Sequence, residues 1–355
     1  MIPSSSQVLI IGANSSALIL GVALAKSGIE VLIADENSHL NFSDNALAIG
    51  HYETDFLKFI GFNFTADQDI SHLQIEKQAL VLLANSLCSI LWNTKSSNPQ
   101  PLPGKVNLTL ETIKEKVEHQ TTIILRQEDL VTELSFSSDV KNIALIFWKL
   151  QGYVRGLLSA KTLNQHQTEK EILLNYYSNG AISKSFFHKL FDRMVKPAPM
   201  DFNLRESKIN LHLSQFRNIT AGDLLPDLKV YDEKKKEETS FYEWCKFGEF
   251  SLIMMGDLPS YSLLNYAKWI KSNFKINLFY LPSTEKNAAI FEFFSIYEGE
   301  KKTLIVRPDR YIGFINDRIE LEIIDNYLRN VLFMHPNLKA FAVKEITEGG
   351  IENYP

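Results

Sequence analysis

Residues 7–36 run as QVLIIG, ANSSALILGVALAKSG and IEVLIADE, which reads as a buried strand, a tight turn, a helix and a second strand. Val8 to Ile11 form a short apolar run that stops at Gly12, and Ala17 to Ala25 are apolar on every side, so both segments belong inside a core. Gly28 supplies the left-handed residue that ends a helix, and Asp35 closes the second strand. The N-terminal part is therefore a βαβ opening of the α/β class. No basic segment precedes the apolar helix, which is too short to span a bilayer. It reads as a buried helix and not as a signal peptide.

The turn between the first strand and the helix bears on chemistry. In a dinucleotide fingerprint the first glycine makes the turn, the second lets the backbone approach the pyrophosphate, and the third permits close packing of helix on strand. Here Gly12 keeps the first role, while Asn14 and Ala17 stand at the other two positions. Asn14 is expected to put a side chain where the pyrophosphate would sit, and Ala17 adds only a methyl group. Asp35 is placed to accept a hydrogen bond from a ribose hydroxyl.

At 355 residues the chain calls for more than one domain. KPAPM at 196–200 breaks the helical pattern, and the period of the chain changes after it. The expected division is a domain over 1–198, a second over 205–340, and a tail over 341–355. Within the first, SSNPQPLPG at 96–104 reads as a loop, TTIIL as a strand, VKNIALIFWKLQGYVRGLLS as an apolar helix, and about 167–190 as another helix. The second carries strands at DLKVY, FSLIMMG, INLFYL and TLIVR with helices between them, and DEKKKEE at 232–238 as a solvated turn.

A net charge of −5 gives no general attraction to nucleic acid or anionic lipid, so neither is an expected partner. Cys88 and Cys245 are far apart in sequence and form no disulfide framework, which predicts a reducing compartment, the cytoplasm. The eight histidines show no metal-binding spacing, so no metal site is expected; His166 and His188 read as surface residues. No nucleophile elbow marks a serine, and no catalytic residue is assigned.

The spacing from Val8 to Asp35 resembles the N-terminus of the FAD-dependent aromatic-ring monooxygenases, which include the phenol and polyketide hydroxylases. WKLQGYVRG at 148–156, followed by TLNQHQTEK at 162–170, resembles that family's helix pair, with Glu169 and Lys170 at its Glu-Arg positions. AGDLLPDL and LIVRPD resemble the thioredoxin-like C-terminal domain of its larger members. The resemblance implies a reduced, Rossmann-like FAD-type βαβ domain plus a C-terminal thioredoxin-like α/β domain, with FAD as the cofactor if there is one. Gly12, Asn14 and Asp35 would then hold it.

The same resemblance exposes departures. The Gly-Asp pair whose Asp contacts the flavin's ribityl chain is missing from residues 105–147, Asn142 replaces an Asp, Asp139 replaces a glycine near the flavin, and Asn45 replaces an Arg. The short interval from Gly61 to Asp139 leaves little room for the substrate-binding sheet that would shield the reacting oxygen from water. These losses lead to the expectation of a pseudoenzyme: a non-catalytic, flavoprotein-like subunit without cofactor that binds protein partners in a complex, with Phe62, Phe64, Leu91 and Trp92 near the partner footprint. The alternative is a working FAD-dependent monooxygenase or oxidoreductase with a reduced substrate domain.

Overall fold

A computed structural model describes residues 2–40, 46–47, 49–64, 70–184, 202–216 and 218–337. Asn45, His188, KPAPM and the 341–355 tail lie outside the described residues. The chain divides into two compact units, Met1–Val154 with Leu173–Met194, and Arg155–Ile172 with Val195–Pro355.

The first unit opens with β1 (Ser5–Ile11), α1 (Ser15–Lys26) and β2 (Val31–Ala34). β1 and β2 pair in parallel from Val8 beside Val31 to Ile11 beside Ala34. Every residue of α1 from Ser15 to Ala25 is buried, which is why its sequence lacks a polar face. β3 (Ala46–Leu47), α2 (His51–Ile60), β4 (Ile70–Ser71) and α3 (His72–Leu83) follow, and α3 starts with a capping box between Ser71 and Gln74. Then come β5 (Cys88–Leu91), β6 (Lys95–Ser96), β7 (Gln100–Leu102), β8 (Lys105–Glu111) and β9 (Lys116–Arg126). α4 (Gln127–Leu130), α5 (Phe136–Val154) and α6 (Ala160–Lys184) complete the segment, α6 contributing residues to both units.

The strands form one sheet in the order β5-β2-β1-β9-β8-β6, with β7 against β8. Its core half is parallel, and β9 runs parallel to β1 on the side opposite β2. The segment expected to be a loop at 96–104 instead contributes Ser96 to β6 and Gln100–Leu102 to β7. Pro101 fits there because β7 pairs only with β8, so the missing amide breaks no ladder. The long helix begins at Ala160, earlier than the apolar pattern predicts, where the Lys161 amide donates to the Ser159 hydroxyl. His166 is buried within it and is not a surface residue.

In the second unit, β10 (Leu211–Leu213) precedes a hairpin of β11 (Lys229–Asp232) and β12 (Glu237–Ser240), and α7 (Phe241–Trp244) follows. Asp232 closes the charged turn by accepting from the amides of Lys234 and Lys235. Next come β13 (Ser251–Met255), α8 (Ser260–Asn273), β14 (Asn277–Leu281), α9 (Ala288–Phe293), β15 (Lys302–Val306), β16 (Ile312–Asn316) and α10 (Leu321–Asn326). The sheet order is β10-β16-β15-β13-β14. β13, α8 and β14 make a parallel βαβ unit, and β15 and β16 return antiparallel before α10. That is a second α/β domain, as the fold reading requires.

Two sequence pieces that carry the family resemblance meet inside this unit. Glu169 on α6 makes a two-pronged ion pair with Arg307, which follows β15, at 2.7 and 3.0 Å. Arg307 also bonds Asp309 at 3.1 and 2.6 Å, and Glu169 accepts from Ser207. Arg307, Glu169 and Asp309 are all fully buried.

Candidate cofactor site

The site is built where β1 stops. Gly12 turns the chain with φ +94°, a conformation that a side chain resists, and its amide donates to the Ala34 carbonyl at 2.9 Å. Asn14 has extended backbone angles and serves as the N-cap of α1, its side-chain oxygen accepting from the Ala17 amide at 2.8 Å. That side chain is folded back on its own helix. The expectation that Asn14 obstructs the pyrophosphate position is corrected accordingly: its oxygen satisfies a first-turn amide. Ala17 is buried against the sheet, as its packing position predicts.

Asp35 stands at the end of β2, nearly buried, and its carboxylate accepts from the amides of Ala13 and Asn37 at 2.5 and 2.7 Å. The acid that closes the second strand thus fixes the turn after the first. A helix N-terminus behind a glycine turn, with an acid at the neighbouring strand end, is suited to an anionic diphosphate and an adjacent ribose.

Beside this turn lies a polar cluster that sequence reasoning missed. The Ser15 hydroxyl donates to Glu76 Oε1 at 2.8 Å and lies 2.8 Å from His72 Nδ1. With the single hydroxyl proton spent on Glu76, the His72 nitrogen is the donor of that second bond. His72 and Glu76 are four residues apart on α3, so they share a helix face, the one signal the sequence offered. Glu76 is buried, and its second oxygen has no hydrogen-bond partner among the described residues. Burial raises its pKa above the ordinary carboxyl range, and the Ser15 bond and His72 pull it partly back.

This cluster carries a pH prediction. Because the folded pKa exceeds the unfolded one, the stability contributed by protonated Glu76 is present at low pH and is lost as pH rises through the folded value. Glu76→Gln is expected to remove part of the decline in urea midpoint between pH 4 and pH 8. An unaltered decline would show that Glu76 is not its source.

The segment after β9 occupies the place, between strand and WKL helix, where the family resemblance expects the Gly-Asp pair. It reads Arg126-Gln127-Glu128-Asp129. The two replaced positions on α5 fasten this segment. Asn142 donates to the carbonyls of Asp129 and Leu130, and Asp139 accepts from the Thr132 amide and hydroxyl. The proposed partner footprint is corrected in part. Phe62 and Phe64 are buried and stacked on each other with centroids 5.8 Å apart, so they face no partner, while Leu91 and Trp92 are half-buried. The short interval after Gly61 folds into strands of the main sheet.

Among the described residues there is no group of three metal-ligating side chains, and no helix is long and apolar enough to cross a membrane. Cys88 and Cys245 are free and buried, and burial pushes each thiol up to about 12, so neither is a reactive thiolate.

A glycine turn on the first strand of a parallel sheet, an acid ending the second strand, and a second α/β domain make a Rossmann-like two-domain α/β fold. No family model matches the chain. Its sequence is 23% identical over 246 residues to the FAD-dependent monooxygenase hkm7 of Aspergillus hancockii, covering 53% of this chain and 46% of that protein. The chain thus spans about half the length of the curated relative it matches. Aklavinone-11 hydroxylase, solved with FAD and aklavinone, superposes with a TM-score of 0.72 at 12% identity over 94% of this chain and 100% of that one. The flavin-dependent monooxygenase PieE, solved with FAD and substrate, gives 0.65 at 8% identity over 93% and 99%. The rebeccamycin biosynthetic enzyme RebC with reduced flavin gives 0.64 at 10% over 92% and 99%. The resemblance to the FAD-dependent aromatic-ring monooxygenases therefore holds in sequence and in fold.

These findings overturn the expectation of a non-catalytic interaction subunit. The sequence relative is a monooxygenase, and the solved neighbours are flavin-dependent enzymes. The expectation gave too much weight to Asn14, whose side chain caps a helix.

Proposed function

We propose that the chain is an FAD-dependent monooxygenase or oxidoreductase with a reduced substrate domain, acting in the cytoplasm. The observation that carries this reading is the turn at Gly12, held by Asp35 through the Ala13 amide and followed by the capped N-terminus of α1. The backbone of this cradle fits an adenine dinucleotide. The N-terminus of α1 favours the negative charge of the diphosphate, and Asp35 offers a carboxylate to a ribose hydroxyl at the end of β2. The hydrogen-bonded Ser15, His72 and Glu76 group, with Ser15 and Glu76 buried, holds α1 and α3 together beside that position. Bound FAD supplies the oxygen or hydride chemistry, and the chain's own contribution is to bind, orient and shield. An aromatic ring is the substrate class the relatives favour, and the free buried cysteines fit a reducing compartment.

The test is FAD binding, followed by turnover. The purified protein is expected to carry flavin absorbance or to acquire it on reconstitution, and saturating FAD is expected to raise the melting temperature. A concentration 100-fold above Kd corresponds to about 2.7 kcal/mol of added stability. Reduced nicotinamide should then be consumed faster when a polycyclic phenol is present. A protein that neither holds FAD nor is stabilised by it would refute this proposal.

A further inference from the structure

The parallel register of β9 on β1 places Arg126 beside Ile11, so Gln127 becomes the lateral neighbour of Gly12. A Cβ added to Gly12 would lie 2.8 Å from both Cδ and Oε1 of Gln127 and 3.0 Å from its Cγ. The carboxamide thus occupies the space that the glycine's missing side chain leaves on the turn. The first fingerprint glycine makes the tight turn that leads into the helix N-terminus facing the diphosphate, and here a side chain of the same protein packs onto that turn.

How firmly that side chain is held decides what it can do. Gln127 is half-buried and begins the four-residue α4, flanked on the solvent side by exposed Arg126 and Glu128. Its carboxamide makes no hydrogen bond among the described residues, so packing alone keeps it on Gly12. By contrast Asp35 and Asn14, the other side chains at the turn, are committed to backbone amides. Gln127 is therefore the side chain at this turn that can leave at the cost of a rotamer change and no lost hydrogen bond.

We propose that Gln127 is a gate on the dinucleotide cradle: its carboxamide covers Gly12 and swings toward solvent before the diphosphate of a dinucleotide reaches the turn. The inference rests on the reading of the cradle as the FAD site. When only the open fraction of a protein binds, the apparent affinity falls by that fraction, so removing the gate strengthens binding without adding a contact. The diphosphate is common to FAD and ADP, so both ligands should feel the gate.

Titration calorimetry with FAD and with ADP on the full chain, its Gln127→Ala and its Gln127→Ser variants tests this, with unliganded melting temperatures read alongside. Both variants are expected to bind both ligands about three- to tenfold more tightly than the unsubstituted protein. Equal or weaker binding by the variants, with the unsubstituted protein binding normally, would overturn the gate and make the carboxamide a ligand contact or a bystander. If none of the three proteins binds either ligand, the cradle reading itself falls, and the gate with it. Tighter FAD binding with unchanged ADP binding would place the effect away from the diphosphate and would also overturn the proposal.

Discussion

Arg307→Met is expected to destabilise the protein by about 3–5 kcal/mol, the range found when one partner of a buried ion pair is removed. The guanidinium is fully buried, and its bonds go to Glu169, Asp309 and Asn210, the last at 3.1 Å. Burial works against its charge, but the carboxylates of Asp309 and Glu169 override burial and hold its pKa above the ordinary arginine value. One cation therefore faces two anions. Removing the cation leaves two buried carboxylates without the charge that offsets them. Removing one anion leaves a neutral pair, so Glu169→Gln is expected to cost less, about 1–3 kcal/mol, mainly through an imperfectly replaced hydrogen bond. The order of the two effects in urea unfolding is the decisive result: a Glu169→Gln cost equal to or above that of Arg307→Met would mean the cation is not what holds the cluster. A triple variant with Met at 307, Gln at 169 and Asn at 309 should recover much of the loss, because no buried charge then remains.

Glu169 and Arg307 also show how far sequence reasoning reaches. Each falls within a short segment that resembles the same family, yet nothing in the order of residues says that a helix near position 169 packs on the strand before 307. The βαβ opening was legible because its signals are local: apolar runs of strand and helix length, a glycine at the turn, and an acid at the second strand's end. β6 and β7 were not, because short exposed edge strands containing Pro101 have the composition of a loop. In the site, Gly12 and Asp35 could be found by spacing. Asn14 was named correctly as a residue of the turn and wrongly as an obstruction, since identity does not fix where a side chain points; its extended backbone turns the oxygen onto the Ala17 amide. A polar residue ahead of Ser15, Ser16 and an apolar run is an N-cap signature, and that signal was available. Gln127 had no signal, because its place over Gly12 depends on the pairing of strands more than a hundred residues apart. Phe62 and Phe64 were placed near a partner footprint because residue identity does not show burial, and both are buried and stacked on each other.

Gly222→Ala is the other substitution expected to act strongly, by about 2–5 kcal/mol, from left-handed strain of roughly 1–2 kcal/mol plus overpacking of about 1–3 kcal/mol. Gly222 lies in AGDLLPDL with φ +95°. A Cβ there would fall onto backbone, 2.5 Å from Arg205 Cα and 2.5 Å from the Leu204 carbonyl carbon. Neither side can retreat easily. The Gly222 amide donates to the Ile312 carbonyl at 2.7 Å, and its own carbonyl accepts from the Leu204 amide at 2.7 Å. Next to it, Asp223 holds the Arg205 side chain at 2.6 and 2.9 Å, so moving residue 205 away would also disturb that pair. Gly299 provides the internal comparison, because it has φ +79° and open space where a Cβ would go. Gly299→Ala should therefore show only the conformational part, about 1–2 kcal/mol. The difference between the two variants in urea midpoint isolates the close approach of the chain at 204–205 from the cost of a positive φ. Equal destabilisation would mean that the backbone at 204–205 yields, and that this glycine is required for its dihedral angle alone.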